Sequence, residues 1–126
     1  VGAPAGKSTG GGTGKMLNEI TYEKHFNSSK GNRVEFWITN FDYFDGIDYL
    51  AKLFCKKYQM QADKKVEGIF FDFIKVHTND IEYVLIWHED IGTLLYNLNQ
   101  NTDNIAQLEA QLSAIVQEIN SSLSGN

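Results

Sequence analysis

Basic residues stop at Lys75. The 51 residues that follow contain no lysine or arginine but seven acids: Asp80, Glu82, Glu89, Asp90, Asp103, Glu109 and Glu118. With a formal net charge of −5 over 126 residues, the chain is a poor candidate for binding nucleic acid or an anionic membrane. Those surfaces are held by lysine and arginine at phosphates, whereas a basic protein surface would be attracted. Cysteine is almost absent: Cys55 stands alone, so no internal disulfide forms and no zinc framework exists. Proline occurs once, at Pro4. The longest apolar runs, such as Tyr83 to Trp87, fall far short of the roughly 20 residues of a membrane-spanning helix. No secretory signal pattern opens the chain, and the expected setting is the cytoplasm.

What is present suffices for one core. Hydrophobic residues make up 42% and aromatics 13%, enough to offset chain entropy in a single domain without a metal or cross-link. Residues 1–15 differ: six glycines, the one proline and three apolar side chains predict a flexible leader. A native start at Met16, behind an added linker, is the expectation, with residues 16–126 as the domain.

Within that domain the segment 17–32 is ambiguous: Leu17, Ile20, Tyr22 and Phe26 are candidate anchors, a short strand or a helical turn fits near Glu19–Lys24, and Asn27 to Asn32 reads as a turn or loop. Arg33 to Thr39 alternates as a strand. A first helix follows, with Asp42 as N-cap, Asp45 three positions on, and Phe44, Ile47, Leu50, Ala51, Phe54 and Tyr58 as its apolar stripe. Val66–His77 and Ile81–His88 read as two strands of a hairpin turning at Thr78-Asn79-Asp80. Gly92 to Leu98 reads as a fourth strand. A second helix carries the stripe Ile105, Leu108, Leu112, Ile115, Val116, Ile119 and Leu123, fraying from Ser121. The order β-α-β-β-β-α predicts an α+β fold, a single antiparallel sheet of about four strands with two helices on one face.

Signals for catalysis are weak. Gly2 to Ser8 and Gly10 to Lys15 graze the phosphate-loop pattern, but each is one residue short and lacks the preceding strand. His25, His77 and His88 stand at no metal-ligand spacing from one another, and His88-Glu89-Asp90 reads as a solvated turn. Cys55 sits inside an amphipathic helix with no assignable base, and no Gly-x-Ser-x-Gly elbow occurs. The chain is therefore not expected to be an enzyme, and no metal or cofactor is expected.

The sheet itself is more informative. Ile81, Tyr83, Leu85 and Trp87 point one way and Glu82, Val84, Ile86 and His88 the other, so both faces carry apolar bulk while the helices cover only one. The second face needs the N-terminal segment, a second copy or a partner. The candidate partner-binding residues are Asp80, Glu82, Tyr83, Trp87, His88, Glu89 and Asp90: aromatic anchors within an acidic rim. Such a rim accelerates encounter with a basic surface and mimics nucleic-acid phosphates.

In overall character residues 16–126 resemble the immunity proteins of bacterial contact-dependent growth-inhibition and related polymorphic-toxin systems. They are short and acidic, lack catalytic motifs and are rich in Asn, Asp, Ile, Phe and Tyr. The resemblance implies neutralisation of a cognate toxin, often a nuclease, by covering its active site or a neighbouring surface. It assigns no individual residue. An alternative is the small acidic α+β secretion chaperone, which works as a homodimer around an unfolded effector segment.

Overall fold

The computed structural model describes residues 19–41 and 46–123. In chain order the elements are β1 (Thr21–Asn27), a single 3-10 turn (Ser28–Lys30), β2 (Arg33–Thr39), α1 (Ile47–Tyr58), β3 (Gln61–Ala62), β4 (Val66–Glu67), β5 (Phe71–His77), β6 (Glu82–His88), β7 (Gly92–Asn97) and α2 (Thr102–Leu123). The strands form one antiparallel sheet in the order β1-β2-β7-β6-β5-β3, with β4 also paired to β5. The α+β class and antiparallel sheet agree with expectation. The count does not: seven strands stand among the described residues where about four were expected.

Each added strand has a local cause. Residues 21–27 alternate poorly because β1 is an edge strand with solvent on much of both sides. β3 is a two-residue edge piece, too short to show a period. The expected long strand Val66–His77 is cut by a tight turn, in which the Gly68 N–H donates to the Phe71 carbonyl at 2.8 Å. A Cβ at position 68 would lie 2.7 Å from that same oxygen, so only glycine fits the close approach.

Helix α1 begins at Ile47 behind Gly46, whose φ of 52° belongs to glycine. The proposed cap Asp42 and the stripe member Phe44 lie outside the described residues, as does Asp45. Ile47, Leu50, Ala51 and Phe54 are buried as the spacing predicts. Asp48 in the first turn and Lys56 and Lys57 in the last complement the helix dipole. Helix α2 is capped by Asn101, whose Oδ1 accepts from the Asn104 N–H at 2.8 Å. It runs through Ser121 to Leu123 where fraying was expected.

Both helices lie on one face of the sheet. Their buried residues share a single core with Phe36, Ile38, Ile74, Val76, Tyr83, Leu85 and Leu95, the alternate residues that register places on the same side. Phe54 of α1 packs edge-on against Tyr83, ring centroids 5.5 Å apart. Ile20 is tied to α2 by Asn120, which accepts from its N–H and donates to its carbonyl.

Among the described residues the other face is closed from within the sheet. Residues 21–32 do not cover it, because β1 extends the sheet sideways. Instead the Arg33 guanidinium lies 3.8 Å from the centre of the Tyr96 ring, and the His25 ring stacks on Trp37 at 3.9 Å. Glu35, buried on this face, accepts from Asn27, Arg33 and Trp37. Burial pushes its carboxyl pKa up, but those hydrogen bonds and the Arg33 charge outweigh it and hold the group below its ordinary value. Val84 and Leu94 are buried on this face, opposite the one that α1 and α2 cover.

Candidate functional site

The seven residues chosen from sequence do not form one patch. Strand β6 separates Asp80 and Glu82 from Glu89 and Asp90, and its seven residues put the two pairs about 20 Å apart at roughly 3.3 Å per residue. Asp80 belongs to the β5–β6 turn, where its N–H donates to Thr78 Oγ1 at 3.1 Å. Glu82 is paired with Lys75 at 3.4 Å.

Tyr83 is not a surface anchor. It is fully buried and its hydroxyl donates to Gln111 Oε1 of α2 at 2.5 Å. Burial pushes its pKa up to about 12, with the neighbouring Tyr58 adding to the effect, so the phenol stays a donor to α2. An aromatic on the helix-bearing face is core where α1 and α2 lie over it, as Phe54 and Gln111 do over Tyr83, and alternation alone could not tell it from an interface residue.

Trp87, His88, Glu89 and Asp90 do come together, at the opposite end of β6. Trp87 is 41% exposed, on the same side of the strand as Tyr83 but at its far end. The loop Glu89–Ile91 is closed by Gly92 at φ 96° and by His88, whose Nδ1 accepts the Asp90 N–H at 3.0 Å. The Glu89 N–H donates to the Phe70 carbonyl at 2.9 Å, which ties this loop to the turn between β4 and β5.

That second turn holds residues that sequence reading missed. Ile69 and Phe70 form a two-residue tip between Gly68 and Phe71 and are 87% and 59% exposed. Val66, Phe71 and Ile91 nearby are also exposed, and Phe71 stacks along Phe73 with centroids 6.2 Å apart. Six of the eight large apolar side chains found exposed among the described residues thus gather at one end of the sheet. An isolated exposed apolar side chain is ordinary, whereas several at one end of a sheet form a candidate contact surface. Val66 and Phe71 lie on the face away from the helices and Trp87 on the helix-bearing face, with Ile69 and Phe70 at the tip between. Neither Ile69 nor Phe70 has a positive φ, so the turn needs no asparagine or glycine at its centre. The available signal was Gly68 set immediately before three large apolar residues.

The rim of this apolar tip is acidic. Glu67 and Asp72 stand opposite each other across β4 and β5, a like-charge pairing that works against the sheet, and Glu89 and Asp90 are exposed beside them. Lys65 offsets part of this charge, bonded to Asp48 at 2.9 Å and lying 3.8 Å from Glu67. The Asp48 hydrogen bond raises its pKa, against a smaller effect of burial.

No group of three histidine, cysteine or carboxylate side chains that could hold a metal converges among the described residues. Burial raises the Cys55 thiol pKa, which makes it a poor nucleophile at neutral pH. A shallow groove of 340 Å³ beside the β5–β6 turn is lined by Tyr58, Asp80, Gln107 and Gln111 among others. It lies at the end of the sheet away from the apolar tip. No helix among the described residues is long and apolar enough to cross a membrane.

Comparison with known proteins supplies no relative: no family model, no curated protein and no solved structure matches the chain.

Proposed function

We propose that this domain is a protein-binding module of the immunity type, which neutralises a cognate bacterial toxin in the cytoplasm by docking the tip formed by Ile69 and Phe70 into its surface. One observation carries the reading: two large apolar side chains at 87% and 59% exposure crown a turn whose surroundings are acidic. The apolar tip supplies contact area that is desolvated on binding. The acids Glu67, Asp72, Glu89 and Asp90 steer a basic partner toward it and repel an anionic lipid surface. A nuclease toxin, whose substrate site is necessarily basic, is the partner that fits.

A dimeric secretion chaperone needs a long apolar face on which to lay an extended effector segment. The open sheet face is instead occupied by Arg33 over Tyr96, by the Lys75–Glu82 pair and by the Glu35 network, which leaves that alternative with less support.

The deciding experiment pairs this chain with the exported protein encoded beside it. Co-expression should restore growth to cells making that protein's C-terminal toxin domain, and the two should co-purify as a stoichiometric complex. A neighbouring toxin that neither binds the chain nor is neutralised by it would defeat the proposal.

A further inference from the structure

The two edges of the sheet are built differently. On one side β5 is covered in pieces by the two-residue strands β3 and β4. Among the described residues no strand pairs with the outer side of β1 at the other edge. β1 presents seven residues without proline or glycine, and its register with β2 runs unbroken from Thr21 opposite Thr39 to Asn27 opposite Arg33. Natural sheets shorten, bulge or guard such an edge, because its unpaired N–H and C=O groups invite another strand.

We infer that the occupant of this edge is a second copy of the chain, paired antiparallel through β1 about a two-fold axis at Lys24. The side chains of β1 complement themselves in that register. Glu23 falls opposite His25 of the second copy, and Tyr22 falls opposite Phe26, which is 66% exposed in the single chain. A carboxylate facing an imidazole it can hydrogen-bond, as Glu23 Oε1 already does with His25 Nε2 of its own chain at 3.1 Å, and an aromatic pair are favourable cross-strand combinations. Lys24 meets its own equivalent on the axis, but each copy brings Glu109 at 3.5 Å, so two ion pairs meet there instead of two bare ammonium groups. Moving the axis to Glu23 sets that acid against itself. Moving it to His25 places Lys24 opposite Phe26 and wastes both pairings.

Charge points the same way. The β1–β2 hairpin, residues 21–39, holds Lys24, Lys30 and Arg33 against Glu23 and Glu35, so two copies of a chain of net charge −5 approach here without acid facing acid. The apolar tip lies on the far side of the sheet from β1, and pairing through β1 leaves both tips outward. The inference is therefore independent of what the tip binds.

Sedimentation equilibrium of the full chain should give twice the 14.2 kDa mass at high micromolar concentration, and Phe26→Asp should weaken association at least tenfold. In a Cys55→Ser background, Lys24→Cys should oxidise to a linked dimer, since opposed residues of an antiparallel pair lie about 5 Å apart, within disulfide reach. Lys52→Cys on the exposed side of α1 should not. A monomer at every concentration overturns the inference. So does a dimer that ignores Phe26→Asp and does not cross-link through Lys24→Cys. Toxin neutralisation by Phe26→Asp should be intact, which separates this result from a failure of the proposed function.

Discussion

The two ends of the sheet are finished in opposite ways. At the end holding the β5–β6 turn and the start of α2, polar side chains take up the loose backbone groups. Thr78 accepts from the N–H groups of Asp80 and Ile81. Gln100 accepts from the Val34 N–H and donates to the Asn97 carbonyl, and Asn97 and Asn101 hold the loop and cap the helix. At the other end the chain turns on Gly68 and Gly92 and points Ile69, Phe70 and Ile91 outward. Turns usually expose polar residues because these satisfy the local backbone. A turn made of isoleucine and phenylalanine does nothing comparable for the isolated fold. The polar end stabilises the domain, and the apolar end is available for contact.

That contrast is tested most strongly by exchanging the tip residues. Ile69→Asp with Phe70→Asp should lower affinity for the toxin at least 100-fold, since buried interface anchors contribute about 2–4 kcal/mol each. The same double variant should shift the unfolding free energy by only about 0.5 kcal/mol, as expected for exposed positions. Calorimetric titration and urea denaturation read the two quantities. A tip variant that unfolds the domain, or one that binds normally, breaks the comparison.

The converse test lies toward the polar end, at Glu35. Glu35→Ala leaves Arg33, Trp37 and Asn27 without their shared acceptor and should cost about 3 kcal/mol of stability, typical of breaking a buried charged network. Affinity at the tip should be unchanged. The carboxyl pKa is lowered in the fold from its ordinary 4.5, so its stabilising effect is complete above that value and is lost as pH falls through the folded value. Glu35→Gln should accordingly flatten the acid limb of the stability profile between those two values. An unaltered acid limb would show that another carboxylate controls it.

Tyr83→Phe should have a smaller effect, about 1 kcal/mol, by deleting the hydrogen bond to Gln111. It should leave binding untouched. The comparison with Trp87→Ala is informative, because the two aromatics alternate onto the same side of β6 yet only Trp87 lies at the exposed end. Stability should respond to the first and affinity to the second.

Those two aromatics also show how far the sequence could be read. Both helices, the strand 33–39 and the hairpin of β5 with β6 follow from spacing, because each buries a full stripe in one core: Leu50 and Phe54 on α1, Leu108, Leu112 and Ile115 on α2, Phe36 on β2. Periodicity assigns a side chain to a face. It does not say where along that face the helices stop, and so Tyr83 and Trp87 looked equivalent. The edge strands are harder to read for a related reason: β1 is solvated on much of both sides, which leaves strand and helical turn open near Glu19–Lys24, β3 is two residues long and reads as a connection, and β4 merges with β5 into one run. The tip was masked by composition. Ile69-Phe70-Phe71 has the apolar character of a strand, and only the backbone contact between Gly68 and Phe71 turns it outward.

An effect of similar size, on rate alone, concerns the acids, where the sequence placed most weight. Glu89→Lys with Asp90→Lys, at the tip end, should slow association with a basic partner about five- to tenfold and flatten its dependence on salt, with little change in dissociation, because exposed rim charges act mainly on encounter. Asp80→Lys with Glu82→Lys makes the same change in net charge about 20 Å away along β6. If the acids act through overall charge, the two pairs will be equivalent in stopped-flow association rates. If they act by steering a partner onto Ile69 and Phe70, the pair beside the tip will dominate. Glu82 is already engaged by Lys75, whereas the Glu89 backbone is bonded to the tip itself, and on that geometry the pair at positions 89 and 90 should have the larger effect.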